Sequence, residues 1–320
     1  MRVVITDPNL RPLSDELESL LPASTDTVWA TTPDTVLEAI VDADVLVGPA
    51  FTQEMAAVAP GIRLVQVAGA GTDRIDTNAL DGIILANTYN HEDSIAEYIV
   101  WALIALRRQL PQADAALRQG RWLSPVYDAA LPQPHSLASA SIGFVGLGHI
   151  GRAAWRVLRA FGAEGQAVTG SGRADADGLN WAGDTSQLSR LLDESDAIVV
   201  SAPLTDATRG IIGAAELNAL GRDGVLVNVA RGPLVQEQAL YDALRDRTIR
   251  GAALDVWYSY PGPDGQGKPA DAPFGELDNV LLTPHVSGIT RQTFLGRVQD
   301  IAANITALAQ GNELRNVVQL

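Results

Sequence analysis

The sequence predicts an α/β protein of two doubly wound parallel-sheet domains, and three observations carry that expectation. Short apolar runs alternate with helix-like segments along the chain, the pattern of a parallel sheet covered by helices. The length of 320 residues exceeds the roughly 100–200 of an ordinary single domain, so two domains share the polypeptide. Near the middle, Ser141-Ile142-Gly143-Phe144-Val145 runs as an apolar strand into a glycine-spaced turn and then a helix, the opening of a βαβ unit.

Composition narrows the class. A hydrophobic share of 47% against 19% charged excludes disorder. No apolar run reaches the roughly 18 residues of a membrane span, and the chain opens directly on a strand without a leader-like segment, which points to the cytoplasm. With no cysteine there is no disulfide, thiolate catalysis or cysteine metal site. The four histidines, His91, His135, His149 and His285, lack HxxxH spacing, so no metal is expected. A net charge of −15 argues against nucleic acid and anionic membranes as partners. An anionic ligand therefore needs a local cluster that overrides the global field.

Taken in order, the first strands are Val3-Val4-Ile5, Val28-Trp29, Val45-Leu46-Val47, Leu64-Val65-Gln66-Val67 and Ile83-Ile84-Leu85-Ala86, with helices over 14–21, behind a Ser cap, and 35–41. Ligands of such sheets bind beyond the strand C-termini, which puts Asp7, Gly48-Pro49 and the Gly69-Ala70-Gly71 loop on one rim. That loop can turn unhindered backbone N–H groups toward a carboxylate, although an ordinary βα turn has the same composition. The next helix, over 92–110, is apolar around most of its circumference and belongs between domains or subunits. Residues 118–141, with Trp122, Pro125, Pro132 and Pro134, read as an extended connection, and His135 within it as a surface residue.

The central turn is Gly146-Leu147-Gly148-His149-Ile150-Gly151. Gly146 permits the tight turn, Gly148 lets the backbone approach a pyrophosphate, and Gly151 lets helix and strand pack closely. A strand before it, a helix over 152–161 and a second strand at Gln166-Ala167-Val168 make this a Rossmann dinucleotide motif, in which the phosphates rest on the positive helix N-terminus. Buried strands follow over 197–201, 224–229, 251–256 and 281–283, with helices over 185–194, 214–220 and 234–245 between them. A Pro/Gly-rich loop occupies 258–274, and an amphipathic helix over 291–310 ends at Gly311.

Four strand ends of this half carry unusual polar residues: Pro203-Leu204-Thr205, with Thr208 just beyond, Ala230-Arg231-Gly232, Asp255 and Pro284-His285. All should open on the dinucleotide face. Arg231 follows a wholly apolar strand, so its guanidinium is held at the sheet edge, where it can clamp a carboxylate. Pro284 restricts the residue before it and so fixes the direction of His285, the side chain best suited to proton exchange near neutral pH.

These motifs, in this order and spacing, resemble the D-isomer-specific 2-hydroxyacid dehydrogenase family: Gly146-Leu147-Gly148-His149-Ile150-Gly151, Asn228-Val229-Ala230-Arg231-Gly232, Ala252-Ala253-Leu254-Asp255-Val256-Trp257 and Leu282-Thr283-Pro284-His285. Residues 69–76 and 87–97 resemble its substrate domain. The resemblance implies hydride transfer between NAD(P)H and a small 2-oxo acid or D-2-hydroxy acid. It implies that Arg231 binds and polarises the substrate, that His285 exchanges the alcohol proton and that Asp255 contacts the nicotinamide carboxamide. It also implies a Rossmann cofactor domain, 99–290, inserted in a flavodoxin-like substrate domain, 1–98 with 291–320. A C-terminal helix crosses back, the cleft closes by hinge motion and a homodimer forms through the cofactor domain. The cofactor contacts expected on this basis are Gly146, Gly148, His149, Ile150, Gly151, Thr169, Ser171, Arg173, Pro203, Thr208, Ala230 and Asp255; those to substrate are Gly69, Ala70, Gly71 and Arg231.

Two departures shape the expectations. Where the family has a glutamate paired with the histidine, this chain has Tyr260, a neutral phenol that orients the ring without adding charge. Where NAD-specific members end the second cofactor-domain strand with an acidic residue, this chain reads Val168-Thr169-Gly170-Ser171-Gly172-Arg173, so NADP is expected over NAD. Loss of the glutamate also fits a catalytically silent, dinucleotide-sensing relative, against which the retention of both Arg231 and His285 argues. A phosphonate or phosphorylated 2-oxo acid is an alternative substrate, with Arg74, Arg121 or Arg291 as its partners.

Overall fold

A computed structural model describes residues 1–138, 140–262 and 264–319. Ser139 and Pro263, which fall in the two proline-rich segments read from the sequence, lie outside the described residues. The chain forms two compact units, Met1–His91 with Ile289–Leu320, and Glu92–Gly288, so the second is inserted in the first.

Unit one is a parallel sheet of β1 (Arg2–Ile5), β2 (Asp26–Trp29), β3 (Val45–Val47), β4 (Leu64–Gln66) and β5 (Ile84–Ala86) in the order β2-β1-β3-β4-β5. That is the flavodoxin-like order. Its strands are apolar on both faces because both are covered. Val3, Ile5, Val45, Val47 and Leu64 pack with Phe294, Val298, Ile301 and Ile305 of the C-terminal helix, Arg291–Gln310. Val4, Leu46, Val65 and Leu85 face the other way, onto Ile40, Phe51 and Met55. The connecting helices are α1 (Ser14–Leu20), α2 (Pro33–Ala39) and α3 (Gln53–Val58). Six-residue α3 is too short to show a helical period; its start is fixed by Thr52, whose hydroxyl accepts from the Met55 N–H.

Unit two opens with α4 (Glu92–Arg107) and α5 (Leu110–Leu117). The single helix expected over 92–110 is thus two, because Gln109 turns left-handed at φ 52° and Pro111 starts the second. All of α4 clusters with unit two, where Ile95, Ala96, Ile99, Leu103 and Leu106 pack onto Ile142, Phe144, Ala154 and Val227. The division therefore falls at 91/92, before the helix rather than inside it.

The sheet of unit two comprises β6 (Ser141–Val145), β7 (Glu164–Val168), β8 (Trp181–Gly183), β9 (Ala197–Val200), β10 (Val225–Asn228), β11 (Gly251–Leu254) and β12 (Val280–Leu282). Its order, β12-β11-β10-β9-β6-β7-β8, is the Rossmann arrangement extended by one strand, all parallel. Helices α6 (His149–Ala160), α7 (Leu188–Asp193), α8 (Ala214–Leu220) and α9 (Glu237–Arg245) connect it. Three-residue β8 lies at the sheet edge and was missed in the sequence, where Trp181-Ala182-Gly183 is too short to show a period. The order reverses between β6 and β9, and that switch point opens the crevice in which doubly wound sheets bind ligands.

Candidate active site

The glycine loop stands at the switch point, and each glycine answers a different constraint. Gly146 has φ 87°, and a Cβ on it would lie 2.6 Å from the Ala202 backbone at the end of β9. A Cβ on Gly151 would come within 3.0 Å of the Gly146 carbonyl, so α6 packs against the strand it follows. A Cβ on Gly148 would meet no other described residue within 4 Å. Gly148 is the N-cap of α6, which has no side-chain cap and no acidic residue in its first turn. An uncapped, uncrowded helix start with its N–H groups outward fits a pyrophosphate. His149, the first residue of α6, is exposed, with Nδ1 3.6 Å from the Glu92 carboxylate, while Ile150 packs against the core.

Beyond β7 the chain bends at Gly172 (φ 71°). The Thr169 hydroxyl donates to the Arg173 carbonyl at 2.9 Å, and the Ser171 hydroxyl accepts from the Arg173 N–H at 3.3 Å. The Arg173 side chain is exposed and makes no hydrogen bond or ion pair among the described residues. Residues 169–173 themselves include no acidic residue, but Asp184 packs against Gly172, its carboxylate accepting from the Ser186 N–H at 2.9 Å. After β9, Thr208 organises its own loop, its hydroxyl donating to the Pro203 carbonyl at 2.7 Å and accepting from Thr205 N at 2.8 Å.

After β10 the backbone is set by Asn228, a buried amide absent from the roles read in the sequence. Its Oδ1 accepts from Ala230 N at 3.1 Å and its Nδ2 donates to the Arg231 carbonyl at 3.0 Å. A Cβ on Gly232 would run into the Trp257 carbonyl, which makes that glycine a packing requirement. Arg231 emerges half-buried between these constraints, Nη1 donating to the Ala230 carbonyl at 2.8 Å.

Asp255 is fully buried at the end of β11, and three donors converge on its carboxylate: the Thr283 hydroxyl at 2.7 Å and the N–H groups of Val286 and Ser287, each at 2.9 Å. It anchors the loop that carries His285. Tyr98 of α4 extends the chain, its hydroxyl 2.9 Å from that of Thr283. Thr283 donates to Asp255, so Tyr98 donates to Thr283. Burial, with the Asp255 charge nearby, pushes the Tyr98 phenol up to about 12, so it remains a neutral donor. His285, held by this loop, adopts the left-handed conformation at φ 58°, sparsely populated by residues with a side chain. Its ring is exposed, and Nδ1 lies 3.1 Å from the Tyr260 hydroxyl, which also accepts from Trp257 N at 3.4 Å. The phenol can donate to a bare Nδ1 or accept from Nδ1–H, so it holds the ring in either tautomer.

In unit one, the Gly69 carbonyl accepts from Thr88 N at 3.1 Å and that of Ala70 from the Asn87 side chain at 3.0 Å. Among the described residues nothing accepts from the N–H groups of Gly69, Ala70 or Gly71. The Gly69 and Ala70 carbonyls are thus tied back while the loop's N–H groups stay available. Of the cations read as partners for a second anion, Arg291 bonds Glu16 at 2.8 Å and Arg121 bonds Gln119 at 3.2 Å. Arg297, which the sequence reading missed, stands beside the 69–71 loop, and its signal was a cation one position from the apolar stripe of the C-terminal helix.

A glycine loop opening an uncapped helix at the switch point marks unit two as a dinucleotide-binding domain. Residues 100–287 match the family model for the D-isomer specific 2-hydroxyacid dehydrogenase, NAD binding domain. Among curated relatives, the chain is 30% identical to glyoxylate reductase of Korarchaeum cryptofilum, over 88% of this chain and 85% of that one. It is 31% identical to D-3-phosphoglycerate dehydrogenase of Methanocaldococcus jannaschii over its whole length, but spans only 60% of that relative. A glyoxylate/hydroxypyruvate reductase of Sinorhizobium meliloti, solved with NADP and malonate, superposes with a TM-score of 0.76 at 28% identity over 99% of this chain and 96% of that one. The chain belongs to the D-isomer-specific 2-hydroxyacid dehydrogenase family.

Proposed function

We propose that this protein reduces small 2-oxo acids to D-2-hydroxy acids with NADPH. The observation that carries the reading is the support given to His285: a left-handed loop anchored on Asp255, with the imidazole ring held by Tyr260. A bound nicotinamide supplies hydride to the carbonyl carbon. Arg231 binds the substrate and polarises its carbonyl, the outward amides of Gly69, Ala70 and Gly71 receive the carboxylate, and His285 Nε2 delivers the proton to the carbonyl oxygen. Asp255 positions His285 through three bonds from its own loop, and its Oδ2, which accepts from Ser287 N, is the oxygen assigned to the nicotinamide carboxamide. Residues 1–91 with 289–320 act as the substrate domain. Loss of nicotinamide absorbance with a panel of 2-oxo acids tests the reading, and no turnover with any of them overturns it.

NADPH is expected over NADH, by about tenfold in kcat/KM, the scale of one charge-assisted contact. The segment 169–173 after β7 carries an exposed Arg173 side chain and no acidic residue, and the nearby Asp184 carboxylate is engaged by Ser186. Arg173→Ala should erase the preference, and a wild-type enzyme that favours NADH would refute it.

A homodimer through unit two completes the reading. Trp101, Leu117, Trp122, Val126 and Tyr127 are between 48% and 80% exposed on α4, α5 and the segment that follows, a concentration of apolar surface that a second copy would cover. Light scattering should give twice the chain mass for wild type and the single mass for Trp122→Ala/Val126→Asp; a monomeric wild type rejects the dimer.

A further inference from the structure

Tyr98 of α4 is half-buried against the core cluster of unit two that contains Ile95, Ile99 and Ala102. A phenylalanine would fill the same space without a polar atom to desolvate, so the hydroxyl calls for a reason. Burial keeps the phenol neutral, pushed up to about 12, and its one hydrogen bond among the described residues is to Thr283, 2.9 Å away. The backbone of Thr283 is pinned on its own account. Its N–H donates to the Leu254 carbonyl at 3.0 Å, and its carbonyl accepts from Trp257 Nε1 at 2.9 Å and from the His285 N–H at 3.0 Å. What remains to be fixed is the hydroxyl, for whose proton Asp255 Oδ1 at 2.7 Å and the Leu254 carbonyl at 3.5 Å compete. A proton arriving from Tyr98 occupies a lone pair of the Thr283 oxygen and leaves the Thr283 proton directed at Asp255.

Asp255, fully buried, stands between this hydroxyl and the loop of His285. Its Oδ1 takes the Thr283 hydroxyl and the Val286 N–H, and its Oδ2 takes the Ser287 N–H. Those two amides follow His285 directly, so the rotation of the carboxylate sets where the loop backbone lies. A left-handed residue with a side chain, as His285 is at φ 58°, persists only where its surroundings hold it. Two of the three donors to Asp255 belong to that loop and the third is the hydroxyl of Thr283, just before it. Tyr98, 185 residues from Thr283 in sequence, is the support that reaches this set from another element of the same unit.

We propose that Tyr98 is a positioning residue for the reaction: through Thr283 and Asp255 its hydroxyl holds the loop of His285 in the conformation that presents the imidazole. This rests on the 2-oxo acid reductase reading, and Tyr98 itself touches neither substrate nor cofactor. In Tyr98→Phe, which keeps the ring and its packing, kcat should fall about three- to tenfold, the scale of one neutral hydrogen bond, while KM for the 2-oxo acid changes by less than about twofold. Hydrogen exchange of the peptide spanning residues 283–288, followed by mass spectrometry, should quicken as the Val286 and Ser287 amides loosen, with peptides from β6 and β10 unchanged. Thr283→Val cuts the same link from the other side and should lower kcat further, since it also takes a donor from Asp255. Adding Tyr98→Phe to Thr283→Val should then cost nothing more, whereas in Thr283→Ser, which keeps the hydroxyl, the Tyr98→Phe loss should persist. Wild-type exchange at 283–288 in Tyr98→Phe, or losses in kcat that add in full in the double variant with Thr283→Val, overturns the assignment. Faster exchange in the β6 and β10 peptides as well would show a general loss of stability and overturns it too. The exchange measurement needs no turnover. Failure of the wild type to oxidise NADPH with any 2-oxo acid would therefore overturn the reductase reading and leave exchange to decide whether Tyr98 holds the loop.

Discussion

Arg231→Ala is expected to lower kcat/KM for every 2-oxo acid by at least about a hundredfold, the scale of one electrostatic stabiliser lost from a reaction centre. Three constraints make the residue a fixed fork. Asn228 bonds the backbone on both sides of Ala230, Gly232 admits no side chain against Trp257, and the guanidinium emerges half-buried where it can polarise a carbonyl. Charge developing on the carbonyl oxygen should be felt more strongly in the transition state than in the bound acid, so kcat should fall together with kcat/KM. Arg231→Lys keeps the charge without the planar pair of donors and should recover only part of the loss. Near-wild-type kinetics for Arg231→Ala would remove the residue from the reaction. Asn228→Ala offers a separate check on positioning: it leaves the guanidinium present but loosens the backbone that carries it, and should lower kcat/KM less than Arg231→Ala does.

Much of the fold was legible because the buried strands are continuous apolar runs and the glycine loop has a single structural solution. Gly146, with φ 87° and Ala202 against it, leaves no room for another residue, and such positions print themselves on a sequence. The break at Gln109 was hidden, since a left-handed glutamine has no compositional mark and only Pro111 hinted at it. The motifs also located the strand ends where polar residues collect, but not what each does there. Asp255 illustrates why: a sequence can mark a carboxylate at a strand end but not that Thr283, Val286 and Ser287 turn toward it. Tyr98 lies far from Thr283 in sequence, so their hydrogen bond had no local signal. Arg297 was obscured in another way, because an amphipathic pattern tolerates a cation at the edge of its apolar stripe and the neighbours that give it direction, Tyr89 and His91, belong to a different segment.

The largest loss is expected for His285→Ala, about 10²–10⁴-fold in kcat, the usual contribution of a positioned proton donor. The sharper experiment changes its partner. In this chain Nδ1 meets a phenol, 3.1 Å away, that also accepts from Trp257 N, so ring orientation is maintained without a negative charge. Tyr260→Glu would bring a carboxylate toward Nδ1, where it stabilises the imidazolium and favours the protonated ring. Reduction consumes that protonated form, so reductive activity is lost on the alkaline side as His285 deprotonates. The added carboxylate should move this alkaline limb to higher pH, and oxidation of the hydroxy acid, which needs the neutral ring, should begin at correspondingly higher pH. Tyr260→Phe removes the hydroxyl without adding charge; it should lower kcat by releasing the ring while leaving the alkaline limb near its wild-type position. Profiles of kcat/KM against pH for the wild type, Tyr260→Glu and Tyr260→Phe distinguish orientation from charge. If wild type and Tyr260→Glu superimpose while His285→Ala is inactive, then Tyr260 does not govern the proton on His285, and the group that does must lie on another segment.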